Sequence, residues 1–199
     1  MRYFIELSYN GKEYHGWQNQ PNDISVQEVI EKALSLILKE KIAIVGAGRT
    51  DTGVHALQMF AHFDTDVVFS TVDLVFKLNS FLPKDVAIHK IFKVKEEAHA
   101  RFDAVSRTYK YRIGLRKNPF NFDSAYFFSN PLDVDKMNEA TKILFQHKDF
   151  QCFSKSNTDV KTYNCTIMKA HWYLENDELN FVIKADRFLR NMVRAIVGT

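Results

Sequence analysis

A glycine-rich loop at residues 46–56 restricts the fold more than any other segment of the chain. Three glycines, Gly46, Gly48 and Gly53, lie within it, and apolar segments flank it at 42–45 and 57–63. The second segment alternates between apolar and polar residues, and the first is short and β-branched, so both are predicted to be strands. Glycine tolerates positive φ values and the close approach of another group. A tight connection between two strands is therefore expected.

Two opposite charges, Arg49 and Asp51, lie in this loop. A carboxylate placed against apolar walls takes up a proton unless a neighbouring cation favours its ionised form. One interpretation is that the loop holds a partly desolvated, ionised Asp51 that points at a ligand. The alternative is a simple strand connection in which Asp51 caps its own turn, a common role for aspartate. The loop alone favours neither.

Composition narrows the class of protein. The 199 residues suffice for one large domain or two small halves, and 46% hydrophobic with 26% charged residues is ordinary for a globular protein. The net charge of +3 is compatible with nucleic-acid binding without establishing it. Cys152 and Cys165 have no zinc-binding spacing and are expected to be reduced thiols of a cytoplasmic protein. Neither a secretion signal nor an apolar run of membrane length is found in the sequence.

Strand-type and helix-type segments alternate without a linker. The predicted strands are 1–9, 42–45, 57–63, 85–94, 104–113, 163–174 and 179–185. The predicted helices are 25–39, 71–78, 133–146 and 186–199, the first with a capping box formed by Ser25 and Glu28. This order indicates an α/β or α+β fold with a mixed, largely antiparallel sheet. A soft midline near Ala104 gives halves 1–104 and 105–199.

Two basic segments indicate contact with anions. Basic residues interleave with tyrosines in and beside the strand at 104–113, and this composition suits the binding of phosphates and bases. The basic residues are Arg101, Arg107, Lys110, Arg112, Arg116 and Lys117. A solvated strand face with its tyrosines in the core is the alternative. Arg187, Arg190 and Arg194 are predicted to share one face of the last helix, where they repel one another unless an anion is near. Arginines snorkelling from a surface helix are the alternative there.

Several kinds of chemistry have no support. The P-loop, zincin and serine-hydrolase motifs are missing, and the histidines are scattered, which favours packing or hydrogen bonding over metal binding. Asp51-Thr52-Gly53 is the tripeptide of aspartic proteases, but that reaction needs two carboxylates sharing a proton, whereas Arg49 favours ionisation.

A lone ionised aspartate suits nucleophilic or base chemistry at a sugar carbon. The basic and aromatic residues suggest RNA, whose target base must leave its stack.

The motifs in their order resemble those of the TruA-type tRNA pseudouridine synthases over nearly the whole chain. The loop at 48–56 matches the active-site loop of that family. Five further blocks match, in order: 9–18, 78–83, 98–102, 107–111 and 188–194. In the first of these, Asn10 stands where the family commonly has aspartate.

The resemblance implies an isomerase that converts uridine to pseudouridine at positions 38–40 of the tRNA anticodon stem-loop, without cofactor or metal. It implies two ferredoxin-like halves related by a pseudo-twofold, with helices on one face of the sheet and a catalytic cleft. The half 1–104 would carry the aspartate loop, and 105–199 would complete the cleft. A homodimer that binds tRNA is implied as well. Because family members continue for several dozen residues beyond Thr199, a truncated C-terminal half is expected.

The resemblance also implies roles for single residues. Asp51 would be the nucleophile or base, Tyr109 would pack on the target base, Arg194 would keep Asp51 ionised, and Arg49 would help to displace the base. Further RNA contacts are predicted from Tyr109 and these residues: His55, Arg101, Arg107, Lys110, Arg187 and Arg190. The competing hypothesis is an RNA-binding module with vestigial catalytic residues, against which the intact set of Arg49, Asp51, Tyr109 and Arg194 argues.

Overall fold

The computed structural model describes residues 1–156 and 160–199. The chain forms two compact units, an N-terminal unit Met1–Ala104 and a C-terminal unit Val105–Thr199. Each contains one four-stranded sheet. The predicted class, a mixed α+β fold with largely antiparallel strands, is confirmed, with the strands distributed over these two sheets. Among the described residues, no helix is both long enough and apolar enough to cross a membrane.

The N-terminal unit has the strand order of a ferredoxin-like fold. Its elements are β1 (Arg2–Tyr9), α1 (Val26–Leu38), β2 (Val45–Gly46), β3 (Ala56–Asp64), α2 (Thr71–Phe81) and β4 (Val86–Lys93). The sheet order is β2-β3-β1-β4, and every pairing in it is antiparallel. This is the split βαββαβ arrangement.

One face of this sheet forms the core with both helices. Tyr3, Ile5, Leu7 and Tyr9 alternate along β1 and are buried with the inner sides of α1 and α2. Ser25 caps α1, its hydroxyl accepting the Glu28 N–H at 3.1 Å, as the capping box predicts. The even-numbered residues of β1 therefore point to the face that carries no helix.

Two predicted boundaries in this unit were wrong. The helix α2 continues three residues past Leu78, because the restriction imposed by Pro83 acts only on Leu82, which is extended with ψ 151°. The Asn79 side chain also ties the last turn of α2 to β4 by donating to the Ile88 carbonyl at 2.7 Å and accepting its N–H at 2.8 Å. The strand predicted at 42–45 pairs only at Val45–Gly46.

The C-terminal unit also has a four-stranded sheet, but its strands follow a different order. Its elements are β5 (Arg107–Gly114), β6 (Tyr126–Phe127), α3 (Val134–Ile143), β7 (Ile167–Glu175), β8 (Glu178–Ala185) and α4 (Met192–Gly198), with 3₁₀ turns at Leu144–Gln146 and Gln151–Phe153. The order is β6-β5-β8-β7; β6 runs parallel to β5, and the other pairs are antiparallel. Asn176 and Asp177 join β7 to β8 with φ values of 49° and 62°, a type I′ turn that suits the twist of a hairpin.

Candidate functional site

The loop at 46–56, hereafter the aspartate loop, turns sharply at its acidic residue. The Val54 N–H donates to the Asp51 carbonyl at 3.2 Å, and Gly53 has a φ of 76°. A positive φ at the third position, with none at the second, is a type II turn, which favours glycine there. The sequence thus sets the turn, and Asp51 is its first residue.

The aspartate loop rests on residues 9–17, hereafter the aromatic segment, with almost no space between the two backbones. A Cβ built on Gly11 would lie 2.1 Å from the Val54 carbonyl oxygen, and one on Gly16 would lie 2.3 Å from that of Thr50. The Trp17 N–H donates to the Thr50 carbonyl at 3.2 Å. Glycine is required in the aromatic segment because backbone approaches backbone there.

Side chains add three further anchors. The hydroxyls of Tyr9 and Thr50 are hydrogen-bonded at 2.9 Å, and His55 Nδ1 accepts the Gly11 N–H at 2.9 Å. The buried Tyr14 donates to Asp85 Oδ1 at 2.8 Å, and burial together with this bond raises the pKa of Tyr14. His55 is therefore held as an acceptor at Nδ1, and its other ring nitrogen is the one left for a ligand.

The structure argues against the first of the two interpretations of the loop, in which Asp51 is partly desolvated. Its side chain and that of Arg49 are both exposed, so the protein around the loop does not desolvate the carboxylate. The physical reason is the type II turn, which places Asp51 on the outer side of a loop whose anchors, Thr50 and Val54, lie against the aromatic segment. The predicted roles of Asp51 and Arg49 do not depend on burial in the free protein and stay predictions.

A second predicted residue of the N-terminal unit, Arg101, lies in the segment that follows β4. It is exposed, and its guanidinium carbon lies 5.9 Å from the centre of the Phe102 ring. Its position is compatible with the RNA contact predicted for it, which stays a prediction.

In the C-terminal unit, Tyr109 lies in the middle of β5 on the side of the sheet that forms the core. It is half-buried, and its ring meets the Phe188 ring edge to face with centroids 4.9 Å apart. Arg107 lies two residues earlier on the same side and donates from Nη1 to the Asp186 carbonyl at 2.9 Å. Tyr109 is thus held by packing, as a residue that must present its ring in one orientation would be.

Lys110 points to the other side of β5, so the strand does not bring all of its predicted basic residues together. Its ammonium lies 3.6 Å from a carboxylate oxygen of Glu175 and 5.6 Å from the centre of the Tyr173 ring. The exposed pair contributes little to stability and leaves Lys110 accessible.

The three arginines near the C-terminus do not share a helix face, and that prediction was wrong. Only Arg194 lies in α4, while Arg187 and Arg190 precede it. The carboxylate of Asp186 causes the difference by accepting the N–H groups of Thr166 and Arg187, each at 2.7 Å, which keeps the chain extended after β8. The helix begins only after Asn191, whose φ is 67°.

Two of the histidines make the hydrogen bonds that the sequence analysis favoured for them. His55 and His62 each accept a backbone N–H at Nδ1, so both serve hydrogen bonding. Over residues 1–156 and 160–199, no group of three or more His, Cys, Asp and Glu side chains is placed to hold a metal ion. Sequence analysis missed the importance of His62 and Asp186, each of which accepts an N–H from a residue distant in the chain. The period-2 pattern of β3 was the only signal for His62.

Comparison with known proteins identifies the family. The family profile described as tRNA pseudouridine synthase matches residues 7–103 and 140–199. A protein of Parabacteroides distasonis named tRNA pseudouridine synthase A is 57% identical over 201 residues, covering 100% of this chain and 79% of the relative. The protein of the same name from Bacteroides fragilis has the same identity and coverage. One from a Thermoanaerobacter species is 40% identical over 98% of this chain and 81% of the relative.

These matches define the class, an isomerase that modifies tRNA. The chain belongs to the tRNA pseudouridine synthase family.

Proposed function

We propose that the protein isomerises uridine to pseudouridine at positions 38–40 of the tRNA anticodon stem-loop, with Asp51 as nucleophile or base and without a cofactor. The observation that carries this proposal is the aspartate loop, which presents Asp51 on a backbone fixed by Gly11 and Gly16. Catalysis benefits when the reacting group is held in place before substrate arrives. The names of the relatives, each called a tRNA pseudouridine synthase A, support the choice of tRNA.

The reaction is an isomerisation, so the substrate and the product contain the same atoms. The bond between uracil N1 and the sugar C1′ breaks, the freed uracil turns, and C5 bonds to C1′ while the proton of C5 leaves and N1 gains one. Asp51 either forms a transient ester at the sugar or removes a proton, and in both cases it must be ionised. Since Asp51 is exposed in the free protein, we infer that the bound nucleotide itself excludes water from the carboxylate.

Other residues receive supporting roles. We assign Tyr109 to packing on the target base and to helping the removal of the C5 proton. We assign Arg194 to favouring the ionised carboxylate at Asp51 and Arg49 to filling the place of the displaced base. Extruding a base costs a few kcal/mol, and a side chain that fills the gap offsets part of that cost.

The test is a positional assay with two matched variants. Unmodified tRNA transcripts with uridine at one of positions 38, 39 or 40 are incubated with protein, and pseudouridine is mapped by carbodiimide treatment and primer extension. Asp51→Asn should abolish product while retaining tRNA affinity. Asp66→Asn, which alters another exposed aspartate of the N-terminal unit, should leave turnover unchanged. Product at other positions only, or full turnover by Asp51→Asn, contradicts the proposal.

We further infer that the enzyme acts as a homodimer in the cytoplasm, where its tRNA substrate resides. Sedimentation equilibrium over a range of protein concentrations tests the assembly. A mass of one chain at every concentration contradicts it.

A further inference from the structure

Five aromatic rings form a continuous row on the face of the N-terminal sheet that carries no helix. Neighbouring ring centres are 6.0, 5.9, 4.7 and 4.2 Å apart. In order, the rings of this row belong to Phe92, Phe4, His62, His99 and Phe102. The first three stand on paired strands, because Phe4 lies opposite Phe92 on one side and His62 on the other. The last two belong to residues 98–103, hereafter the Phe102 loop.

The Phe102 loop is fastened to the sheet by hydrogen bonds that fix its backbone. His62 Nδ1 accepts the Ala100 N–H at 3.2 Å, and both residues are buried. Arg2 Nη1 donates to the Ala98 carbonyl at 3.0 Å. Asp103 accepts the N–H of His99 at 2.7 Å. A surface loop with this many internal bonds is built to hold one conformation.

The conformation that these bonds hold exposes a large apolar side chain. His99 Nδ1 accepts the N–H groups of both Arg101 and Phe102, at 3.2 and 3.3 Å. Phe102 is nevertheless 76% exposed. A single exposed phenylalanine is ordinary, but one that is held in place at the end of a row of aromatic rings indicates a surface that a ligand covers.

Charges around the row indicate what the ligand is. The Arg101 guanidinium lies 5.9 Å from the Phe102 ring, and Lys90 Nζ lies 5.4 Å from the Phe92 ring, so a cation stands at each end of the row. Of the nearby carboxylates, Asp64 is paired with Arg2, which weakens its repulsion of an anion. An exposed ring at the end of a row of aromatic rings, with a cation beside it, matches RNA, whose bases stack on rings and whose phosphates attract cations. Lysine is depleted at protein–protein interfaces, so Lys90 at one end of the row favours RNA over a protein partner.

We propose that Phe102 is a stacking platform for a tRNA base outside the reacting nucleotide, and that His62 and His99 position it. The proposal rests on the proposed function, since it takes tRNA as the ligand. It adds Phe102, His62 and His99 to the residues that recognise the substrate. Phe102 would contact the base directly, whereas the two histidines act through the Phe102 loop.

The experiment measures tRNA affinity separately from turnover. Fluorescence anisotropy with labelled tRNA is recorded for variants in an Asp51→Asn background, where binding is not followed by reaction. Phe102→Ala should weaken the affinity about tenfold, the loss expected for one stacked base. Phe102→Trp retains a stacking surface and should bind within about twofold of the parent. Phe76→Ala, which removes an equally exposed phenylalanine from the outer side of α2, should have no effect.

The positioning role is tested at His62. Asparagine places an oxygen where Nδ1 lies, so His62→Asn should keep the Ala100 hydrogen bond and the tRNA affinity, whereas His62→Leu should weaken binding. In a double-mutant cycle, His62→Leu should lose little further affinity once Phe102 is alanine, because both changes act on one contact. Additive losses contradict the positioning role.

Three results overturn the proposal: no tRNA binding at all, equal affinity of Phe102→Ala and the parent, or a Phe102→Ala effect confined to self-association in sedimentation. The last would make the row a protein contact. Failure of the proposed function looks different. If the protein binds tRNA through Phe102 but forms no pseudouridine, the stacking platform is supported and the proposed reaction is contradicted.

Discussion

The two units each contain one four-stranded sheet but hold their loops by different physical means. In the N-terminal unit, the aspartate loop lies on the aromatic segment through backbone contacts that leave no room for a Cβ at Gly11 or Gly16. In the C-terminal unit, the segment between β5 and β6 is held by charge: Glu178 accepts two hydrogen bonds from Arg112, at 2.8 and 2.9 Å, and one from Asn121 at 2.6 Å.

Because of this difference, we expect different kinds of substitution to destabilise the two units. Close backbone packing fails when a single carbon is added, and it responds little to salt or charge. A carboxylate network tolerates added volume at its margins and fails when its charge is removed. The only two tryptophans, Trp17 and Trp172, lie in separate units, so Trp172→Phe and Trp17→Phe backgrounds let fluorescence follow the unfolding of each unit.

The largest expected effect is that of Gly16→Ala, at about 3 kcal/mol of the free energy of unfolding of the N-terminal unit. The residue has a φ of 91°, and its Cβ would lie 2.3 Å from a backbone oxygen, so backbone strain and overpacking add. Urea unfolding monitored at Trp17 measures the loss. The control is Gly114→Ala in β5, where the nearest atom is 3.7 Å away and a change within about 0.5 kcal/mol is expected. Equal losses in the two variants would erase the contrast between the units.

The next largest effect is expected for Glu178→Gln, which should lower the free energy of unfolding of the C-terminal unit by about 1–2 kcal/mol. The reason is that a neutral amide replaces the charged acceptor of Arg112. Unfolding monitored at Trp172 measures it, and added salt should reduce it. Glu175→Gln, three residues earlier in the same hairpin, is the control. Its 3.6 Å pair with Lys110 is exposed, so less than about 0.5 kcal/mol is expected. A larger loss for Glu175→Gln would contradict the importance given to the network.

The smallest effect expected is a loss of stability in both units as the pH falls below the usual histidine value of 6.5. Burial, and then the charges of Arg2 and His99, lower the pKa of His62. Burial and then Lys169 lower the pKa of His171, whose Nδ1 is buried without a hydrogen-bond partner among the described residues. In this range the unfolded chain binds the proton and the folded one does not, so stability is full above pH 6.5 and falls below it.

Asparagine variants separate the two histidines. His62→Asn should remove the pH dependence between pH 5 and 6.5 at Trp17 alone, and His171→Asn should do so at Trp172 alone. A pH dependence that persists in both variants would assign it to other groups.

Much of the fold was predictable because it follows from local patterns. The alternation of β1, the capping box of α1 and the Asn176-Asp177 turn all act between residues near in sequence. The aspartate loop was predictable for the same reason, since its glycines are visible in the sequence. Its exposure was not, because that depends on which side of the loop meets the aromatic segment.

Long-range hydrogen bonds explain the other errors. Asn79 extends α2 by bonding to Ile88, and Asp186 delays α4 by accepting the N–H of Thr166. Neither partner is within the reach of helical periodicity, and the spacing of Arg187, Arg190 and Arg194 therefore indicated a longer helix than the chain forms.

Thr50 lies between two residues of opposite charge, and hydrogen bonds hold it on both its backbone and its side chain. Its carbonyl and its hydroxyl are both tethered, to the Trp17 N–H and the Tyr9 hydroxyl, while Arg49 and Asp51 extend from either side of it. These two hydrogen bonds restrict movement of the backbone between the two charged residues. The backbone between the two charged side chains is thus held at Thr50, and we expect that a ligand can displace one of them while the other keeps its position.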